Sequence, residues 1–172
     1  MFEIRKIQEQ VLFNAIKSTS NHDIATRIVY GEHEEDDAAW VKSTMAKLEN
    51  CFDSSTLKGI RMNCQCGYGM EDKLALVKEL VLASSSMEEF GNLEKAKAAG
   101  MFCSGGELYL QFLFCPCPML ANIDRLETYA WCQCTAGYSK VLFEEAFACD
   151  VDVELLKSIK AGDDICLMKI IP

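Results

Sequence analysis

The sequence predicts an α+β fold, with N-terminal helices packed on a C-terminal antiparallel sheet that has one inserted helix. Through about residue 100, apolar residues recur at three- and four-residue spacing, the period of an amphipathic helix. Beyond that point, alternating segments rich in β-formers predict strands. Because helices come first and strands follow, the order favours α+β over alternating α/β. The length suits one domain, residues 1–172, with a helical half over about 1–100 and a sheet-rich half over about 101–172.

Three helices are predicted in the first part of the chain. The first covers residues 4–17, where five apolar residues form one stripe: Ile4, Ile7, Val11, Leu12 and Ala15. The second runs from the capping residue Ser20 to Gly31. The third follows the acidic run 32–37, because acidic side chains complement the positive end of a helix dipole.

Two more helices are predicted after an irregular connection. Residues 51–69 contain three glycines and three cysteines and are predicted to be irregular. A long helix then covers residues 71–83. Another begins after Ser86, which forms a capping box with Glu89, and ends near Gly100.

The sheet-rich half begins with a strand over residues 107–114, in which apolar side chains alternate. Pro116 and Pro118 end this strand, because proline has no N–H group for the ladder and a fixed φ. The remaining predicted elements are a strand over 128–134, a helix over 138–148, a strand over 151–159 and a hairpin turn over 161–164 that leads into a final strand over 165–171.

Charge and composition argue against several classes of function. The chain has 17 basic and 26 acidic side chains, a net charge of −9, which works against binding to nucleic acid. Glu3, Arg5 and Lys6 interrupt the apolar core that a signal peptide needs, and no apolar stretch reaches the length of a membrane span. We therefore expect a soluble, cytoplasmic protein that contacts neither nucleic acid nor membrane. Nucleotide-binding and common hydrolase motifs are absent from the sequence.

Cysteine spacing is the most informative feature. Six of the ten cysteines form three C-x-C pairs, where composition alone predicts roughly 0.6 pairs: Cys64/Cys66, Cys115/Cys117 and Cys132/Cys134. Thiolates ligate zinc and iron–sulfur clusters, and in a cytoplasmic protein metal binding competes with free or redox-active thiols as the explanation for so many cysteines. If the strands over 107–114 and 128–134 are neighbours, Cys115, Cys117, Cys132 and Cys134 converge at one end of the sheet. The sequence therefore predicts these four residues as ligands of a zinc ion or an iron–sulfur cluster.

Three other interpretations of the paired thiols stay open. Cys64 and Cys66 precede a predicted helix start, which lowers thiol pKa values and favours a nucleophilic catalytic thiolate. A C-x-C pair such as Cys115/Cys117 would also form a strained, oxidising disulfide in a dithiol redox protein. The remaining interpretation is that the thiols only pack in the core, as small apolar side chains do.

Two aromatic residues are candidates for contact with a ligand. Trp131 precedes Cys132, and Tyr138 follows Gly137, so both rings are placed to line a pocket under the predicted sheet. Together with the paired cysteines, they predict a small-molecule-binding or sensing protein with a metal centre.

The C-terminal third resembles a known family. The resemblance is carried by Gly137-Tyr138-Ser139-Lys140, by residues 151–154 and by Gly162-Asp163-Asp164-Ile165-Cys166 with the strand that follows. These segments resemble the tail of the L-2-amino-thiazoline-4-carboxylate hydrolase-like family and, more distantly, the 4-vinyl reductase domain. The resemblance implies a sensor-like α+β fold with a pocket between helices and sheet, a hydrolase activity and a homodimer. Zinc-binding members of the second group carry another cysteine before the one that matches Cys166, and here Ser158 stands near that place.

Overall fold

The computed structural model describes residues 3–34 and 36–172, which form eight α-helices and a four-stranded sheet. The helices are α1 (Ile4–Thr19), α2 (His22–Tyr30), α3 (Asp37–Cys51), α4 (Ser54–Met62), α5 (Met70–Leu82), α6 (Met87–Asn92), α7 (Glu94–Ala98) and α8 (Gln133–Phe147). The strands are β1 (Met101–Ser104), β2 (Glu107–Phe112), β3 (Asp152–Lys157) and β4 (Cys166–Ile171). The predicted α+β class is confirmed, with most helices N-terminal to an antiparallel sheet of order β1-β2-β4-β3.

Side-chain caps explain where several helices begin. Asn21 and Ser86 accept hydrogen bonds from the backbone N–H groups of Ile24 and Glu89, at 2.9 and 3.1 Å. Asp36 caps α3 in the same way, so the predicted acidic helix start is confirmed for the described residues, while Glu35 of that run lies outside them. The helix predicted from Ser86 to Gly100 is divided into α6 and α7 at Leu93, whose backbone is extended.

The irregular connection predicted over residues 51–69 is wrong in its first half, where α4 forms. Asp53 caps this helix by accepting a 2.8 Å hydrogen bond from the N–H of Thr56. Leu57, Ile60 and Arg61 are buried along one face. Gly59 does not break the helix, because burial of this face outweighs the modest cost of one glycine in a helix interior.

The strand predicted over residues 128–134 is also wrong. The chain turns there, and α8 begins at Gln133. Helix α8 packs tightly on α4, because a Cβ atom at Gly137 would lie only 1.9 Å from the backbone oxygen of Met62. This close approach depends on a glycine, and it places the first turn of α8 in the core.

The sequence analysis missed β1, which forms a hairpin with β2. Gly105 and Gly106 connect the two strands with φ values of 60° and 80°, the conformation that a two-residue hairpin turn with glycines supplies. β4 pairs with β2 on one side and β3 on the other, so the predicted C-terminal hairpin is confirmed. Among the described helices, none combines the length and the apolar character needed to cross a membrane.

Two apolar clusters form the core, and α8 belongs to both. The first joins α1–α4 to residues 115–134. The second joins α5–α8 to one face of the sheet. Cys134, in the first turn of α8, packs in the first cluster, whereas Leu142 and Phe143 pack in the second. The first turns of α8 therefore lie where the two clusters meet, and the candidate site is at this junction.

Candidate functional site

A cavity of about 180 Å³ lies between α5, α8, the first two strands and residues 116–118. Its walls are mainly apolar, and six side chains form most of them: Leu76, Val77, Met101, Leu110, Phe112 and Leu142. Gln8, Gln65, Thr135 and Ser139 add a small number of polar groups. An apolar cavity with few convergent polar groups is typical of a small-molecule site.

Tyr138 and Lys73 lie together at the exposed edge of this cavity. The Tyr138 hydroxyl donates a 2.9 Å hydrogen bond to the backbone oxygen of Tyr68. The Lys73 ammonium lies 4.8 Å from the centre of the Tyr138 ring. Burial, with a smaller contribution from Cys66, raises the pKa of Tyr138 to about 12, so its hydroxyl stays a neutral donor. Tyr138 lines the cavity, and its role in ligand binding stays a prediction.

Trp131 is placed differently. It is fully buried, and its ring makes an edge-to-face contact with Trp40 at 5.8 Å. It does not line the large cavity but lies beside a second, smaller one. The structure thus places Trp131 in the core between α3 and the start of α8, outside the lining of the larger cavity.

The smaller cavity, of about 10 Å³, is lined by cysteines together with apolar residues, Thr135 and Ser158. Five cysteines line it, and we call them the thiol cluster: Cys115, Cys117, Cys132, Cys134 and Cys166. Its volume is about what one water molecule requires. Cys117 and Cys134 line both cavities, so the thiol cluster forms part of the wall of the larger one.

The four cysteines predicted as metal ligands line the same small cavity, but two of them lie at the start of a helix instead of on the predicted strand. Cys115 and Cys117 follow β2, as expected. Cys132 is the residue just before α8 and Cys134 lies in the first turn of that helix, in place of the predicted strand end. The sequence analysis did not include Cys166, which enters the cluster at the start of β4.

Three thiols of the cluster are buried, Cys115 and Cys117 are half-buried, and two of the buried thiols accept hydrogen bonds. Ser158 lies 3.2 Å from the Cys132 sulfur, which accepts its hydroxyl hydrogen bond, and the Cys166 sulfur accepts one from the N–H of Ile159 at 3.5 Å. Burial raises the pKa of Cys132 to about 12 and also raises that of Cys117, so both are neutral thiols at pH 7. Over residues 3–34 and 36–172, no group of three or more Cys, His, Asp or Glu side chains has an arrangement that could hold a metal ion. All ten cysteines are free.

The two cysteines predicted as nucleophiles, Cys64 and Cys66, differ in how far they are buried. Cys64 is fully buried, and its thiol donates a 3.1 Å hydrogen bond to the backbone oxygen of Ile60. Burial raises the pKa of Cys64 to about 11, which favours a packing role. Cys66 is half-buried and lines the large cavity, so of this pair only Cys66 is placed to meet a ligand.

Arg61 is the functional candidate that the sequence analysis missed. Its side chain is fully buried, and its Nε and Nη2 atoms donate hydrogen bonds of 3.2 and 2.9 Å to the backbone oxygen of Trp131. Its Nη1 atom has no hydrogen-bond partner, and no carboxylate of the described residues pairs with it. Four thiols lie near enough to raise the pKa of Arg61: Cys64, Cys117, Cys132 and Cys134. The sequence signal was an arginine on the apolar stripe of Leu57 and Ile60.

Comparison with known families gives a match that covers the whole chain. A model described as a family of unknown function, DUF6144, matches residues 1–172. The chain belongs to this family. No curated protein matches it, and no solved structure does. The resemblance of the C-terminal third to the hydrolase-like family, and the homodimer it implies, stay predictions.

Proposed function

We propose that this member of the DUF6144 family is a cytoplasmic small-molecule-binding or sensing protein whose ligand occupies the large cavity. The observation that carries the proposal is the cavity itself, about 180 Å³ in volume, with apolar walls and few polar groups. A cavity of about 150 Å³ accommodates a benzene-sized molecule, so a ligand built around one ring matches this volume. Free thiols throughout the chain suit a reducing compartment.

The proposed ligand has an apolar body and one anionic group. Among the described residues that line the cavity, only Lys73 carries a formal charge. Its position over the Tyr138 ring keeps the ammonium at the exposed edge, where an anionic end of the ligand would stay partly hydrated. An ionised partner strengthens a hydrogen bond and fixes orientation, while the apolar walls contribute most of the affinity.

The proposal includes a zinc ion or an iron–sulfur cluster held by Cys115, Cys117, Cys132 and Cys134. Its support is that all four side chains border one small cavity. Binding requires that the thiols deprotonate and turn toward the metal, since they are neutral in its absence. A metal held there would supply a closed, structural centre. Because Cys117 and Cys134 also border the ligand cavity, metal and ligand would influence each other through this shared wall.

Calorimetric titration with two small probes tests the ligand site. We expect 4-phenylbutyrate to bind the full chain more tightly than its neutral analogue 4-phenylbutanol. Lys73→Met should remove that preference, whereas Lys78→Met, the same change on the same helix but on a lysine paired with Glu145, should keep it. Leu76→Trp should fill the cavity and abolish binding, and Leu82→Trp, at a position 89% exposed, should not. Equal binding of both probes to all variants would contradict the proposal.

A second candidate function is a hydrolase that uses Cys66 as its nucleophile. The observation that favours it is the position of Cys66 on the cavity wall, close enough to Tyr138 to affect its pKa. If Cys66 is a catalytic thiolate, iodoacetamide should alkylate it at pH 7 faster than the exposed Cys149, and 4-phenylbutyrate should slow that reaction. Slower alkylation of Cys66 than of Cys149 removes this candidate.

A further inference from the structure

We infer that Gln8 is a specificity-determining residue of the large cavity, whose Oε1 atom accepts a hydrogen bond from a hydroxyl or amino group of the ligand. This inference rests on the proposed function and names the class of ligand more closely. The ligand is an aromatic carboxylate that also carries an O–H or N–H donor on its ring.

The first step is the place of Gln8 in α1. The residues four positions before and after it, Ile4 and Leu12, are apolar, and Leu12 is fully buried. Gln8 itself is only 3% exposed, so it takes a core position in an otherwise apolar stripe of the helix. Buried polar side chains are normally satisfied by hydrogen bonds. Both the N–H₂ group and the oxygen of the Gln8 amide therefore need partners.

The second step is the hydrogen bonding of this amide. Its Nε2 atom donates a 3.3 Å hydrogen bond to the backbone oxygen of Cys64, which sets the orientation of the amide. Its Oε1 atom is buried and has no hydrogen-bond partner among the described residues. Gln8 also lines the large cavity, as does Cys66, two residues after Cys64. The unpaired acceptor therefore belongs to a side chain of the cavity wall.

The third step is the source of a donor for that oxygen. Three polar side chains of the wall already donate to other atoms: Gln65 to the backbone oxygen of Met62, Tyr138 to that of Tyr68, and Ser139 to the sulfur of Met168. Burying a carbonyl oxygen without a hydrogen bond costs free energy, and a ligand that supplies the donor removes that cost. An analogue without the donor leaves the oxygen unpaired, so the same group gives specificity.

The fourth step is the position of the donor on the ligand. Gln8 is buried, whereas Lys73 is exposed at the edge of the cavity. A ligand whose carboxylate lies near Lys73 directs its ring away from that edge, toward the buried part of the wall. The donor therefore belongs on the ring and not beside the carboxylate.

The test is calorimetric titration of the full chain with ring-substituted forms of 4-phenylbutyrate. The probes carry a hydroxyl group, an amino group or fluorine at ring position 3 or 4, and fluorine resembles the hydroxyl in size but donates no hydrogen bond. At one of the two positions, the wild type should bind the hydroxyl and amino forms about tenfold more tightly than the fluoro form.

Two variants assign this preference to Gln8. Gln8→Met nearly conserves the volume of the side chain but removes the acceptor, so the preference should fall below about twofold. Gln10→Met, the same change at an exposed position of the same helix, is the matched control and should keep the preference. In NMR spectra, the side-chain amide signal of Gln8 should shift more with the hydroxyl form than with the fluoro form.

The outcomes separate this inference from the proposed function. If no probe binds the wild type, both fail. If 4-phenylbutyrate binds with a preference over 4-phenylbutanol that requires Lys73, but the hydroxyl and fluoro forms bind equally, only the inference fails. A preference retained in Gln8→Met also overturns it, because another group then accepts the hydrogen bond. If Gln8→Met does not fold, the NMR titration decides: a larger shift with the hydroxyl form supports the inference, and equal shifts overturn it.

Discussion

The Arg61 guanidinium donates two hydrogen bonds, of 3.2 and 2.9 Å, to the backbone oxygen of Trp131. This contact joins α4 to the residue that precedes Cys132 and the start of α8, 70 residues further along the chain. It fixes the position of the first turn of α8, and with it the wall shared by the ligand cavity and the thiol cluster. The same wall depends on the close packing of α8 on α4, which leads to the first prediction.

Gly137→Ala should destabilise the protein by about 3 kcal/mol in urea unfolding, because the added methyl group would overlap the Met62 backbone oxygen. Gly59→Ala is the matched control within α4, where a Cβ atom meets no other atom within 4 Å. This control should be stabilising by about 0.5–1 kcal/mol, since alanine has the higher helix propensity. Similar effects of the two substitutions would show that α8 does not pack on α4 as described.

Asp163→Asn should lower the urea midpoint at pH 7. The Asp163 carboxylate accepts hydrogen bonds from the Tyr129 hydroxyl at 2.5 Å and from the N–H of Ser158 at 2.8 Å, and these hold its pKa below the usual range. A lowered pKa in the folded state contributes stability that is present above the unfolded-state pKa, about 3.9, and is lost as pH falls through the folded-state pKa. The difference from wild type should therefore shrink below about pH 4.

Asp124→Asn serves as the control for that substitution, because Asp124 is exposed. Asp124→Asn should leave the urea midpoint unchanged both at pH 7 and below about pH 4. A pH-independent deficit in Asp163→Asn would assign its effect to packing instead of to the carboxylate charge.

Cys64 should react with iodoacetamide at pH 8 about a hundredfold more slowly than the exposed Cys149 in the native chain. Burial raises the pKa of Cys64 to about 11, which leaves very little thiolate. The rate at Cys64 should rise as pH increases, and in urea the two rates should become similar. Mass spectrometry of peptides from the alkylated chain measures both sites. Equal native rates would mean that Cys64 is accessible.

The sequence predicted most of the fold where one periodicity dominated a segment. The stripe from Ile4 to Ala15 indicated α1, and the alternation around Leu108 and Leu110 indicated β2. Local sequence signals gave wrong predictions where tertiary contacts determine the secondary structure. Gly59 suggested an irregular connection, yet burial of Ile60 and Arg61 stabilises a helix there.

The sequence predicted part of the candidate site, but one of the two strands on which that prediction depended is not formed. Tyr129 and Trp131 have strong β propensity, so residues 128–134 suggested a strand, but the approach of Gly137 to Met62 selects a helix from Gln133. The prediction that two cysteine pairs meet depended on their spacing and on two neighbouring strands, and the strand over residues 128–134 is not formed. The spacing carried no information on Cys166 or Arg61, whose roles depend on which elements become neighbours.

Metal content of the full chain after anaerobic purification tests the central claim most directly. We predict about one equivalent of zinc per chain in a colourless protein, or of an iron–sulfur cluster in a coloured one. The metal should be retained in Cys149→Ser and lost in Cys117→Ser and Cys134→Ser together with a lower unfolding midpoint. A well-folded, metal-free wild type that does not take up added Zn²⁺, or zinc content unchanged in all three variants, would contradict a metal centre in the thiol cluster.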